Sequence, residues 1–347
     1  MRRRTPVDDF VRSLAAELAL RFPPSEPWTA ATLYLGGGTP SRLGPGGVEQ
    51  VLSVVRGSLV LEPGAEVTLE ANPDDVTREA VERWREAGVN RLSLGVQSFD
   101  DRVLRWMHRT HDAGQALRAL EAARAGGIAN VSLDLIFALP RNLHRSWAWD
   151  LARAVEANLP HVSLYGLTVE EHTPLGRWAA RGSVSEAPEE CYETEFLLAH
   201  EVMTAAGFEH YEVSSFARPG ARSRHNSSYW SGAPYVGLGP SAHEYDGESR
   251  RWNVAPYAEW ARRLAAGLDP VAGAETLGSE SRDAEIVYLG LRTVDGLPVG
   301  PAESKRVRPW VDAGWARLDG ERLRLTPAGW LRLDALAADL TLVRSRS

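Results

Sequence analysis

Short apolar segments of strand type alternate with amphipathic segments of helical period along most of this 347-residue chain. The repeat is roughly 30 residues, which is the pattern of stacked βαβ units built around a parallel sheet. Strands are expected over 32–35, 66–70, 91–96, 130–135 and 161–167, with a sixth over 211–215. Helices are expected over 7–20, 47–59, 77–87, 113–125, 147–157 and 189–206. The first of them carries Val7, Phe10, Val11, Leu14 and Leu18 on one stripe and is expected to stop at Pro23, Pro24 and Pro27.

Polar residues collect where these strands end: Thr39, Glu70, Gln97, Asp134 and Thr168. The C-terminal edge of a parallel sheet or barrel is where ligands bind, because the connecting loops and helix N-termini converge there. The first strand empties into Gly36, Gly37 and Gly38, then Thr39-Pro40-Ser41. Without a Cβ, such a loop lets backbone N–H groups approach a ligand, and positive φ carries no penalty. A carboxylate, a phosphate or an amino-acid head group would suit it. A plain βα turn would show the same glycines, and singly Glu70 reads as a surface carboxylate, Gln97 as a turn former and Arg109 as one arginine among many.

Composition narrows the partners. A net charge of −7, from 39 basic and 46 acidic residues, and a pI near 5.8 argue against nucleic acid. Lys305 is the sole lysine, which reads as codon bias rather than chemistry. The single cysteine, Cys191, excludes an intramolecular disulfide and any thiolate cluster or zinc site built by this sequence alone. No apolar run is long enough for a membrane span or signal segment, so the cytoplasm is the expected location. Twelve tryptophans are many; Trp84, Trp106 and Trp260 fall on helix-like faces and are expected in packing, while a surplus of flat aromatics also suits a large planar ligand.

The stretch 219–240 interrupts the pattern with Gly, Ser and aromatic residues and is long for a plain connection. Beyond Ser279 the composition changes again. Helices over 285–292, 301–313 and 327–340, with a hairpin of 316–319 and 322–325 turning at Asp319-Gly320, read as a small α+β, winged-helix-like unit that covers or docks. The division expected is therefore 1–215 for a partial barrel, 216–278 for a connecting region and 279–347 for the small domain.

The ordered set GGGTPS (36–41), EANP (70–73), GVQSFDDRVLRWMHRTH (95–111), SLDLIFALP (132–140), RHNSSYW (224–230) and YVGLGPSAH (235–243) carries a resemblance. From Asp8 to Leu340 the chain resembles the oxygen-independent coproporphyrinogen III oxidase-like branch of the radical SAM superfamily, and within it the haem chaperones of the HemW type. The resemblance implies an α/β fold, an incomplete parallel (β/α)6-type barrel lacking its first strand. It implies S-adenosylmethionine across the strand ends, with Gly36, Gly37, Gly38 and Thr39 at its amino and carboxylate groups. Glu70, Gln97, Arg109 and Asp134 would hold its polar groups and ribose hydroxyls. It also implies haem contact by His225, Asn226, Tyr229 and Trp230, with His243 as a secondary polar contact. The implied function is binding haem and passing it to haem-accepting proteins. The alternatives are a coproporphyrinogen III oxidase and a cluster-free remnant that binds S-adenosylmethionine.

One family feature is missing. Its relatives hold a 4Fe-4S cluster on three thiolates of a CxxxCxxC segment, and this sequence has no such motif. Two origins are open: a segment upstream of Met1 that carries the thiolates, which the retained S-adenosylmethionine contacts favour, or a real loss. The sequence as it stands is not expected to cleave S-adenosylmethionine reductively, since nothing in it replaces the cluster as electron donor.

Overall fold

The computed structural model describes residues 6–22, 28–171 and 173–344. The expected helix stop at Pro23, Pro24 and Pro27 lies outside them. The first helix spans Val7–Arg21. A curled sheet follows, built from β1 (Trp28–Leu35), β2 (Leu59–Ala71), β3 (Arg91–Gln97), β4 (Val131–Phe137) and β5 (His161–Gly166), paired in parallel in that order.

The sheet is polar inside and apolar outside, and the sequence period of two produces both faces. Leu69, Leu92, Leu94, Leu133, Leu135, Val162 and Leu164 turn outward and are buried against the helices, together with Trp84, Ala119, Leu120 and Leu151. Each buried leucine contributes about 1.5–3 kcal/mol relative to exposure. The residues between them, Thr68, Glu70, Ser93, Ser132, Asp134, His161 and Ser163, turn inward. The outer helices start on side-chain caps that satisfy otherwise orphaned N–H groups. Thr77 accepts from Ala80 N, Asp112 and Gln115 form a capping box, and Ser146 accepts from Trp149 N.

Three expectations change in this part of the chain. The second helix ends at Arg56, not 59, because Leu59 already pairs with Trp28 as the start of β2. The expected sixth strand over 211–215 is instead a hairpin: β6 (Glu209–Glu212) and β7 (Ser215–Ala217) pair antiparallel, and β7 adds antiparallel to β5, because the chain reverses at Val213-Ser214. The interruption at 219–240 contains a helix, Arg224–Trp230, capped by Ser223, whose hydroxyl accepts from Asn226 N.

Beyond it, β8 (His243–Tyr245), β9 (Ser249–Asn253) and β10 (Val271–Thr276) form an antiparallel sheet beside a helix, Tyr257–Ala265. A buried carboxylate of the first helix fastens this region. Glu17 accepts from Gly239 N at 2.8 Å, Asn253 Nδ2 at 2.6 Å and Trp260 Nε1 at 3.1 Å. The C-terminal part begins with a helix, Ser279–Arg292, and carries a third sheet of β11 (Leu297–Pro298), β12 (Ala316–Asp319) and β13 (Arg322–Leu325). The hairpin falls where the sequence placed it, whereas the helices expected over 301–313 and 327–340 are each broken in two, Pro301–Arg306 and Arg308–Asp312, then Pro327–Trp330 and Leu333–Arg344, the last packing on 279–292. Among the described residues no helix is long and apolar enough to cross a membrane.

Candidate functional site

The glycine loop and the EANP segment are one structural unit. Gly37 N donates to Glu70 Oε2 at 3.2 Å, Ser41 Oγ donates to Asp75 at 2.7 Å, and Asn72 N donates to Ser41 Oγ at 3.2 Å. Gly37 has φ +88°, and a Cβ on it or on Gly38 would meet nothing within 4 Å, so this side of the loop is open. Gly36 is the opposite case: a Cβ there would stand 2.4 Å from Tyr34 and 2.7 Å from Glu70. Thr39 precedes the short turn Pro40–Leu43.

The remaining strand-end residues face the same interior. Burial raises the Glu70 carboxyl, against the bonds from Tyr34 and Gly37 that pull it down. Burial pushes Asp134 up to about 6, opposed by hydrogen bonds from Ser93 and Ser163 and reinforced by the nearby Glu70. Asp134 sits in the middle of β4 rather than at its end, reaching Ser93 Oγ across the strand pair at 3.0 Å. Gln97 terminates β3 with φ +71°, a strained conformation for a side-chain-bearing residue, and its amide folds over Gly95, where a Cβ would lie 2.9 Å from Nε2. Arg109 is half-buried and in the field of Asp134 and Asp74. Thr168 lies beyond the end of β5. The interior thus offers backbone N–H groups, two raised carboxyls and a guanidinium around an open loop, a donor set that fits a zwitterion carrying a sugar.

The helix Arg224–Trp230 sits against β1 and β2. Glu66 of β2 accepts from His225 N at 2.9 Å and Arg224 N at 3.1 Å, and is paired with the buried Arg91 at 3.8 Å. The side chains of RHNSSYW then diverge. His225 Nδ1 bonds Thr32 Oγ1 at 2.8 Å, its Nε2 bonds the Tyr229 hydroxyl at 3.1 Å, and its ring stacks on Tyr34 with centroids 4.7 Å apart. Asn226 points into a polar cavity of the barrel beside Thr68, Arg91 and Ser163, with space for about one water. Trp230 lies under the Arg292 guanidinium at 4.1 Å, and Arg292 pairs with the buried Glu212 at 3.1 Å. His243 is exposed, its ring stacked on Trp252. Of the expected haem residues, His225 and Tyr229 share a hydrogen bond and an edge contact, and Tyr229 and Trp230 a tilted ring contact, while Asn226 turns into the barrel.

Burial lowers the His225 imidazole, with Glu66 opposing, which favours the neutral form that ligates iron. Its Nε2 partner is a neutral phenol worth about 1 kcal/mol, which an iron bond would displace. The donor chemistry fits haem. A 4Fe-4S cluster does not fit these residues: Cys191, in the helix Glu189–Ala205, is the only thiol, and among the described residues no group of three His, Cys, Asp or Glu gathers for a metal.

Residue-by-residue reading missed Thr32, Tyr34, Glu66, Ser93 and Ser163. Their signal is the alternation in TLYL, EVTLE, RLSL and HVSLYG, where every second residue is polar in otherwise apolar strands.

Comparison with known proteins places the fold and the family. A model of the radical SAM superfamily matches residues 16–147. The structure of coproporphyrinogen III oxidase (HemN) from Escherichia coli superposes with a TM-score of 0.82 over 98% of this chain and 84% of that one, at 20% identity. The curled parallel sheet and its helices thus share the fold of that enzyme. The haem chaperone HemW of Mycobacterium tuberculosis is 40% identical over 336 residues, 96% of this chain and 86% of the relative. That of Lactococcus lactis is 34% identical over 300 residues, 86% of this chain and 78% of the relative. The chain belongs to the HemW family.

Proposed function

We propose that this protein binds haem and passes it to haem-accepting proteins, cytoplasmic or membrane-bound, with S-adenosylmethionine held at the strand ends. The observation that carries the reading is the geometry of His225, held between Thr32 and Tyr229 and stacked on Tyr34, on the face of β1 that also leads to the glycine loop. In this reading His225 ligates iron, and Tyr229 yields its bond to Nε2 as it does so. Asn226 and Trp230 act by anchoring the helix, one in the barrel and one on the small domain. At the other site the loop N–H groups of 36–38 meet the carboxylate of the methionine moiety, Glu70 its ammonium group, and Asp134 and Gln97 the ribose hydroxyls. S-adenosylmethionine in this family supplies a cleavable C–S bond when a cluster delivers an electron, and these residues account for its binding alone. The remaining units, 216–278 and 279–347, hold the haem-facing helix in place.

Haem titration followed at the Soret band tests this reading. The protein is expected to shift the band with saturable stoichiometry, and His225→Ala to weaken binding at least tenfold. An unchanged Soret band on adding the protein would remove the chaperone assignment.

A further inference from the structure

Two positions on the inward face of β1 connect the two sites. Thr32 and Tyr34 are two residues apart and so share a face. Thr32 holds His225 Nδ1, and Tyr34 stacks on the same imidazole at an interplanar angle of 17°. The Tyr34 hydroxyl then donates to Glu70 Oε1 at 2.7 Å, while Glu70 Oε2 accepts from Gly37 N. Gly36 leaves no slack in this arrangement, because any side chain there would strike both Tyr34 and Glu70. Direct contacts therefore run from the glycine-loop backbone through the side chains of Glu70 and Tyr34 to His225 and on to Tyr229.

We propose that Tyr34 is a positioning residue that couples the two ligand sites, so that S-adenosylmethionine at the glycine loop tightens haem binding at His225. The inference rests on the reading above. An ammonium group beside Glu70 keeps that carboxylate ionised, and an ionised acceptor strengthens the Tyr34 hydrogen bond. A fixed Tyr34 ring fixes the imidazole stacked on it, so less freedom is lost when haem binds. By linkage, haem must tighten S-adenosylmethionine by the same factor. Tyr34 itself stays a neutral donor, since burial and the neighbouring carboxylate hold its phenol well above the usual range.

The test uses the full chain, titrated with haem in the absence and presence of saturating S-adenosylmethionine, and with S-adenosylmethionine by equilibrium dialysis in the absence and presence of haem. About a fivefold or larger tightening, equal in the two directions, is expected for wild type. Tyr34→Phe keeps the stack and loses the hydroxyl, so both ligands still bind and the coupling factor falls toward one. A readout without haem accompanies it: the His225 ring resonances move when S-adenosylmethionine is added to wild type and stay fixed in Tyr34→Phe. Thr32→Val, which breaks the other contact to His225, retains the coupling. Independent affinities in wild type, or equal coupling in Tyr34→Phe, overturn the proposal while leaving the haem-binding reading intact. Failure of wild type to bind haem at all overturns both, and the Soret titration alone identifies that case.

Discussion

Glu66 and Glu70 are the same residue type on the same face of the same strand, four positions apart, and they do opposite work. Glu66 is saturated: two backbone N–H groups of 224–225 and the Ser223 hydroxyl reach it, and Arg91 balances its charge in the interior. Glu70 has one phenol and one loop N–H, no cation paired with it among the described residues, and an open loop in front of it. A carboxylate whose donors are all supplied by the fold is an anchor. One whose charge the fold leaves unpaired, and whose pKa burial raises, is the one a ligand could balance, as proposed above.

The largest effect that sharpens this contrast is expected for Glu66→Ala. It strips the helix Arg224–Trp230 of its anchor and leaves Arg91 buried without a carboxylate, a loss of about 3–5 kcal/mol. Urea unfolding should show it as a shifted midpoint, whereas Glu70→Gln should leave the midpoint nearly in place and weaken S-adenosylmethionine. Equal losses of stability in the two variants would erase the distinction. Next comes Arg292→Ala, which leaves Glu212 buried alone and removes the cation from the Trp230 face, at about 3 kcal/mol. Arg292→Lys keeps the charge but not the planar stack, so about 1 kcal/mol of that loss should persist in thermal or urea unfolding.

Much of this architecture is legible in the chain itself, and the limits have physical causes. The helix Ala113–Ala125 is bounded as expected because Asp112 and Gln115 cap it locally and Gly126-Gly127 close it. The hairpin at Asp319-Gly320 is equally local. The hairpin of β6 and β7 was not legible as such, because the direction in which a short strand pairs is set by the partner strand β5 and not by its own residues. The same holds for the two sites. Gly36–Gly38, Glu70, Gln97 and Asp134 stand out by lying in or just after successive strands. The motif 224–230 looks like a single ligand surface because its residues are consecutive, yet a helix turns them to three different neighbours: β1, the barrel interior and the helix Ser279–Arg292. Tyr34 hides for the converse reason, since nothing local shows that a tyrosine before a glycine loop will touch a histidine almost two hundred residues away.

Asp134 tests the binding side of the comparison through pH. Its folded value of about 6 lies above its ordinary 3.8, so the folded state holds the proton more tightly than the unfolded one. The stability linked to that proton is present in full below about pH 4 and is lost as pH rises through 6. Asp134→Asn does not carry this penalty. Its stability relative to wild type should therefore grow between about pH 3 and pH 7, by up to about 3 kcal/mol, with no further change above that. The same variant should bind S-adenosylmethionine more weakly at pH 8, as expected where a site keeps a charge at the expense of stability. A pH-independent difference in urea unfolding between the two proteins would show that Asp134 ionises without cost to the fold.

The smallest effect separates His225 and Tyr229, which share a hydrogen bond on the helix Arg224–Trp230. Tyr229→Phe removes one hydrogen bond to a half-buried imidazole, about 1 kcal/mol of stability. If His225 is the ligand, Nε2 in this variant is free before haem arrives, and the affinity read from the Soret titration should rise a few-fold. If the phenolate of Tyr229 is the ligand, affinity collapses and the band position changes with it. Wild type presents both groups within 3.1 Å of each other, so this single hydroxyl decides which atom the fold has prepared. The lowered imidazole and the raised phenol both point the same way, because burial favours the neutral form of each and only the neutral imidazole is already a ligand.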